Sequence, residues 1–168
     1  MKRSLFQFPD PVNEHAARLV ASGVVVMTSL VVFAGQRWVL VPLAYGFVAR
    51  VLTGPTLSPL GTLVTKVVVP RLGRREKPVP GKPKRFAQGI GAVLSVSALV
   101  AWLAGAPTLA TVLAAMILGA ASLEAFVGFC LGCVIYGQLS KLGIVPDACP
   151  ECADISLRVR PARDNVVA

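Results

Sequence analysis

The chain has 168 residues, a formal net charge of +9 and a mean hydropathy of +0.70. Hydrophobic residues make up 55% and charged residues only 15%, against about 45–50% and about 25% in soluble domains. This argues against an ordinary soluble enzyme domain, and the length favours one domain.

Charge is also segregated. Residues 19–36, 86–123 and 125–140 contain no Asp, Glu, Lys or Arg. Soluble helices scatter charge to make solvated faces, whereas a bilayer penalises charge at its centre. The basic excess sits between apolar runs, which points to membrane orientation and lipid contact rather than to nucleic acid. Met1-Lys2-Arg3 leads into a polar, proline-bearing segment, not into a signal-peptide core, so the first span is expected to be retained.

In chain order, residues 1–15 read as an extended cap, with Pro9 and Pro11 blocking early helix and Asn13 as the N-cap of the first span. That span is expected over 16–35, about 30 Å long and long enough to cross. Gly35-Gln36-Arg37 reads as a turn. A second, short span over 38–53 opens on Trp38, an interfacial residue type, carries Arg50 near its far end and stops at Gly54-Pro55. Residues 57–69 are apolar but too short to span. Leu60, Leu63, Val64, Val67 and Val68 recur at helical spacing, so an interfacial helix is expected, with a re-entrant segment as the alternative.

Residues 70–85 read as a non-helical basic loop holding Arg71, Arg74, Arg75, Lys77, Lys82, Lys84 and Arg85, a topology signal or a lipid-binding patch. A third span over 86–104 and a fourth over 108–130 form a hairpin about Gly105-Ala106-Pro107. The fourth helix has room to continue through Cys130 and Cys133 to residue 142, before Pro146. The expected fold is all-α: a four-span membrane domain over 1–142, with an interfacial helix after the second span, and a polar tail over 143–168. The excess of Lys and Arg on one side places both termini in the cytoplasm.

Three spans put their charges in one layer near that side: Arg18, Arg50 and Glu124. Intramembrane charges face the bundle and find partners, so Glu124 is expected to pair with Arg50 or Arg18. Its role is helix locking or, near the thiols, proton carriage. In a continuous helix Glu124 and Cys130, six apart, would lie on different faces. His15, the one histidine, sits at the start of the first span and reads as a polar helix-end residue.

The four cysteines form two Cys-x-x-Cys pairs, Cys130/Cys133 and Cys149/Cys152. Two chemistries fit. In a thiol-redox or sulfur-handling membrane protein, Cys130 and Cys133 are the reactive pair, Cys149 and Cys152 the relay or exchange pair, and a thioredoxin-like cytosolic protein the partner. As a structural zinc site, all four sulfurs close one tetrahedron in a non-enzymatic membrane scaffold. Gly128 and Gly132 flank the first pair and permit a helix break and a close approach. No hydrolase triad or dinucleotide fingerprint occurs in a supporting context.

The combination Asn13-Glu14, Ala17-Arg18, Arg50, Ser58-Pro59-Leu60, Lys84-Arg85-Phe86-Ala87, Glu124-Ala125, Gly128 to Cys133 and Tyr136 resembles a bacterial membrane family catalogued as domain of unknown function 4395. The likeness spans roughly residues 10–137 and is most specific at the cysteine block. It implies a small four-span inner-membrane protein centred on the first pair, and no activity. The second pair and tail look like the extended form of actinobacterial-type members.

Overall fold

The computed structural model describes residues 12–54, 57–72, 78–79 and 81–145. Residues 1–11, Arg74, Arg75, Lys77, Cys149, Cys152 and the rest of the tail lie outside that set.

Asn13 does cap the first helix. Its side chain accepts the His15 backbone N–H at 3.0 Å, and α1 runs Glu14–Val32. Just before it, β1 (Val12–Asn13) pairs antiparallel with β2 (Pro78–Val79). Gly35 takes φ +65, and after a single 3-10 turn at Arg37–Val39, α2 spans Leu40–Thr53. Residues 59–72 are helical, as α3 (Pro59–Leu63), a π-turn (Val64–Val68) and α4 (Val69–Leu72). Ser58 caps α3, and Val64 is buried with Ala16 and Val20 of α1.

The expected third boundary moves. α5 covers Gly81–Leu103, so the last part of the basic segment is helical rather than loop. Pro83 does not prevent this, because a proline in the first turn forfeits an N–H that has no intrahelical partner. Gly105 at φ +78 makes the hairpin turn, and α6 runs Pro107–Ser122. α7 covers Leu131–Lys141.

Among the described residues, three helical segments are long and apolar enough to cross a membrane: Glu14–Val32, Gly81–Leu103 and Pro107–Val127. The chain is thus a mostly helical membrane protein whose apolar helices face lipid. Val26, Leu30, Val93, Val100, Leu109, Val112 and Met116 point outward. Mostly small residues face inward on α6: Ala110, Ala114 and Ala121, with Ile117 as the one large side chain, recur at spacings that keep one face against α1 and α5. In lipid, close backbone approach of this kind replaces hydrophobic drive. Buried polar side chains return to their own helix, as Thr28 Oγ1 does by donating to Val24 O at 2.8 Å.

α2 packs antiparallel on α5. A Cβ on Gly91 would lie 2.2 Å from Phe47 Cε1, and Arg85 Nε donates to Val51 O at 3.1 Å. These two contacts set the register and bring Arg50 level with residues 87 and 88.

Gly91→Ile is expected to force α2 off α5 and cost about 1–3 kcal/mol. The loss is read as a lower melting temperature in detergent. Gly89→Ile, at a position with nothing within 4 Å of a Cβ, is the control and should melt close to the parent.

Candidate functional site

Of the two courses open to the chain, a helix continued through the cysteines or a break at Gly128, the break forms. α6 widens into a π-turn at Leu123–Val127, and Gly128 ends it in the left-handed region at φ +76. Glycine alone enters that region at no steric cost. The wide turn leaves carbonyls aimed away from the helix, and Arg18 of α1 collects two of them. Its Nη2 donates to Phe126 O at 3.0 Å, and its Nε and Nη2 both reach Ala125 O at 3.4 Å. Arg18 therefore clamps the break from across the bundle.

Cys130 then turns extended (φ −91, ψ 102) and becomes the N-cap of α7. Its Sγ accepts the Cys133 backbone N–H at 3.3 Å, as the oxygen of a capping serine would. Both thiols are free and only 2% exposed. Gly132 lets α5 approach: a Cβ there would lie 2.6 Å from Ala87 Cβ and 2.7 Å from Ala87 Cα. The N-terminal end of a helix favours negative charge on the cap. The two thiols are pushed apart in acidity. Hydrogen bonding from the Cys133 side chain, helped by the charge of Lys84, outweighs burial and the Glu124 charge and holds Cys130 below its ordinary value. The same hydrogen bond, with burial, pushes Cys133 up.

Glu124, on the π-turn, forms its ion pair with Lys84 of α5. This corrects the expected pairing with Arg50 or Arg18. It also moves Lys84 out of the lipid or topology patch, since the residue is buried. Arg50 is buried too. It stacks on Phe47, with Cζ 4.5 Å from the ring centroid, and feels the Glu124 charge. The break also undoes the objection that Glu124 and Cys130 lie on different faces, because the charges of Glu124 and Lys84 act on both sulfurs.

Other candidates lie farther out. Lys82 and Arg85 are exposed on the first turns of α5, and Arg71 is exposed on α4. His15 contributes its backbone N–H to the Asn13 cap. Cys149 and Cys152 are outside the described residues, so the geometry says nothing of a four-sulfur site. Among the described residues no cluster of three or more His, Cys, Asp or Glu stands ready for a metal ion.

Lys84 is the residue that sequence reasoning undervalued. A signal existed: Lys84 precedes the hairpin apex at Gly105 by 21 residues and Glu124 follows it by 19. Two helices leaving one tight turn bring such positions level. Gln88 was missed as well. It sits one turn along from Lys84, and its Oε1 is buried without a hydrogen-bond donor.

The family model for the domain of unknown function DUF4395 matches residues 12–141, and the chain belongs to that family. No curated protein and no solved structure matches it.

The split acidity has a kinetic signature. Thiolate, not thiol, reacts with iodoacetamide, so Cys130 should alkylate first at neutral pH and Cys133 at least about tenfold more slowly. The Cys130 rate should fall on acidification through a midpoint below that of an ordinary thiol. Peptide mass spectrometry reads both rates; Cys133 reacting first would reverse the assignment. Arg18→Met, which unclamps the loop, should raise the Cys130 rate several-fold without moving its midpoint.

Proposed function

We propose that this DUF4395 protein is a membrane thiol–disulfide exchange protein, with Cys130 as the sulfur that meets a partner and Cys133 as the resolving sulfur. One observation carries the reading: Cys130 caps α7 and receives the Cys133 N–H on its Sγ. A helix N-terminus and an adjacent cation are the environments that make a cysteine reactive. A cysteine that served only as packing would need neither.

The exchange balances in atoms and electrons. A partner thiolate attacks Cys130 Sγ of the Cys130–Cys133 disulfide. The Cys133 sulfur leaves with the bonding pair and takes a proton. A second partner thiolate attacks the partner's own sulfur in the mixed disulfide and releases Cys130. Two electrons have passed to the pair, and the partner has become a disulfide. In the proposed relay, Cys149 and Cys152 are the first partner and a thioredoxin-like cytosolic dithiol reduces them in turn.

We place this chemistry at the cytoplasmic edge of a bacterial inner membrane. The turn at Arg37–Val39 with α2 makes 17 helical residues in sequence, close to the minimum span. Counted as a fourth crossing, it returns the chain to the side where α1 and α5 begin. Arg18, Arg50, Lys84 and Glu124 cluster at that end, and the basic segment that precedes α5 gives it a cytoplasmic address. Helix 59–72, packed on α1 through Val64 and Leu60, is the interfacial element.

Anaerobic purification of the full chain in detergent, with metal and thiols assayed together, is the test. The exchange reading expects metal-free protein whose Cys130–Cys133 pair cycles between two thiols and one disulfide. About one zinc per chain with all four thiols protected would sink it and establish the structural zinc site. In the exchange reading, Cys149→Ser with Cys152→Ser leaves the first pair able to cycle with dithiothreitol but slows reduction by a thioredoxin-like protein at least about tenfold.

A further inference from the structure

Arg50, in the last turn of α2, is buried with hydrogen-bond donors unused. The residue is 5% exposed, and its Nε and Nη1 find no acceptor among the described residues. Its place is fixed all the same. The guanidinium lies on Phe47, and Phe47 is wedged against Gly91 of α5. Burying N–H donors without an acceptor is costly, because each gives up water and gains nothing in return. The third guanidinium nitrogen shows where an acceptor fits. Nη2 belongs to both two-donor edges of a guanidinium, one shared with Nε and the other with Nη1. It lies 3.9 Å from the point where a Cβ on Gly46 would stand, and Ser58 Oγ lies 3.9 Å from the same point. Outside the backbone of α2, no other atom among the described residues comes within 4 Å of it. Ser58 is fully buried as the cap of α3. Its Oγ accepts the Gly61 N–H at 3.3 Å, which leaves the hydroxyl hydrogen to be donated. Gly46 thus leaves a gap with a guanidinium on one side and a hydroxyl on the other. Donors face it from both sides, so it suits an anionic acceptor.

We propose that Gly46, Arg50 and Ser58 form an oxyanion site, in which one oxygen of a phosphate group enters the gap at Gly46 and accepts from Arg50 and Ser58. Phosphate is the class that a guanidinium edge matches best, because its paired oxygens take two parallel N–H donors. The same group has two sources at a membrane edge, a lipid headgroup and the free ion. Position favours the headgroup. Basic sites between helices near a membrane surface take anionic headgroups, and Tyr45 and Leu57, exposed beside the gap, offer apolar surface to acyl chains. Tyr45 OH, which donates to Leu57 O at 3.4 Å, holds the approach to Ser58 against α2. A bound phosphate bridges α2 and α3 and steadies that end of the bundle. The site makes no use of the thiols and stands apart from the exchange reading.

Thermal unfolding of the full chain in a phosphate-free maltoside detergent is the test, since a ligand of the folded state raises the melting temperature with its concentration. One arm adds phosphatidylglycerol, with diacylglycerol of the same acyl chains as control. The other adds inorganic phosphate, with sodium chloride at equal ionic strength as control. At least one phosphate compound should stabilise the parent protein beyond its control. Phosphatidylglycerol alone identifies the headgroup as the source, and inorganic phosphate alone identifies the free ion. Gly46→Ala is the decisive variant. Its methyl group meets Arg50 and Ser58 at ordinary contact distance, and alanine suits a helix, so without ligand it should melt at or above the parent. The methyl group nevertheless fills the gap, and the apparent affinity should fall at least about tenfold. Arg50→Met, which removes the guanidinium, should abolish the shift. No stabilisation beyond control by either compound overturns the site. So does an undiminished affinity in Gly46→Ala, which would place the phosphate elsewhere on the basic surface.

Discussion

The end of the bundle that carries the cysteines is organised by the burial of Lys84 and Glu124. Lys84 in the first turn of α5 and Glu124 on the π-turn that follows α6 are packed inside the bundle end, so each must meet the other there. That requirement fixes the relative height of α5 and α6, because the hairpin at Gly105 must bring residues 84 and 124 level. It also makes α5 begin before the apolar run does. Gly81 to Arg85 would be a loop by composition, yet its helical form aims Lys84 inward while Lys82 and Arg85 stay exposed. A buried pair of this kind adds little net stability. Its value lies in registration: one wrong turn of either helix would leave a bare charge in an apolar medium.

The second constraint is the π-turn. An α-helix that ran through residues 123–133 would close each carbonyl on its own backbone and bury the sulfurs on helix sides. Widening the turn at Leu123–Val127 and reversing it at Gly128 frees carbonyls for Arg18 and starts a new helix at Leu131. Extra-residue turns of this type occur often at functional sites, and this one re-aims the chain beyond it. Cys130 is thereby converted from a side chain on a helix face to a helix cap. The two glycines act differently. Gly128 supplies a backbone angle, and Gly132 supplies space, since only a residue without a side chain lets α7 rest on Ala87.

Much of the scaffold was legible in the residues. Runs 19–36 and 86–123 announced helices, Gly105 and Pro107 the hairpin, Asn13 the first cap, and Gly128 with Gly132 a break and a close approach. The site was less legible, for two physical reasons. Helical faces keep their relation only while the helix is unbroken, so the different faces that a continuous helix would give Glu124 and Cys130 do not apply once the π-turn intervenes. Composition also cannot tell an inward lysine from its outward neighbours. Lys84 stood in a run of basic residues among prolines and glycines, and only the tertiary register of α5 against α6 separates it from Arg85. The pairing with Arg50 or Arg18 was reasonable on depth alone, but Arg18 was taken by backbone carbonyls that no sequence pattern advertises.

The apolar surroundings are part of the proposed chemistry rather than packaging for it. A lysine near a thiol in water does little, because solvent screens the pair within a few ångströms. Between α2, α5 and α7 the same lysine acts through a poorly polarisable medium, and its influence on the sulfur is correspondingly larger. The same medium raises the cost of every unbalanced state. A change of charge on a sulfur would therefore be felt by Lys84 and Glu124, whose charges act on both thiols. Lys84 and Glu124 are thus coupled to the thiols, and the Arg18 clamp holds the break that positions Cys130. A soluble scaffold would need a much larger core to provide the same dielectric, whereas 168 residues in a bilayer borrow it from the lipid.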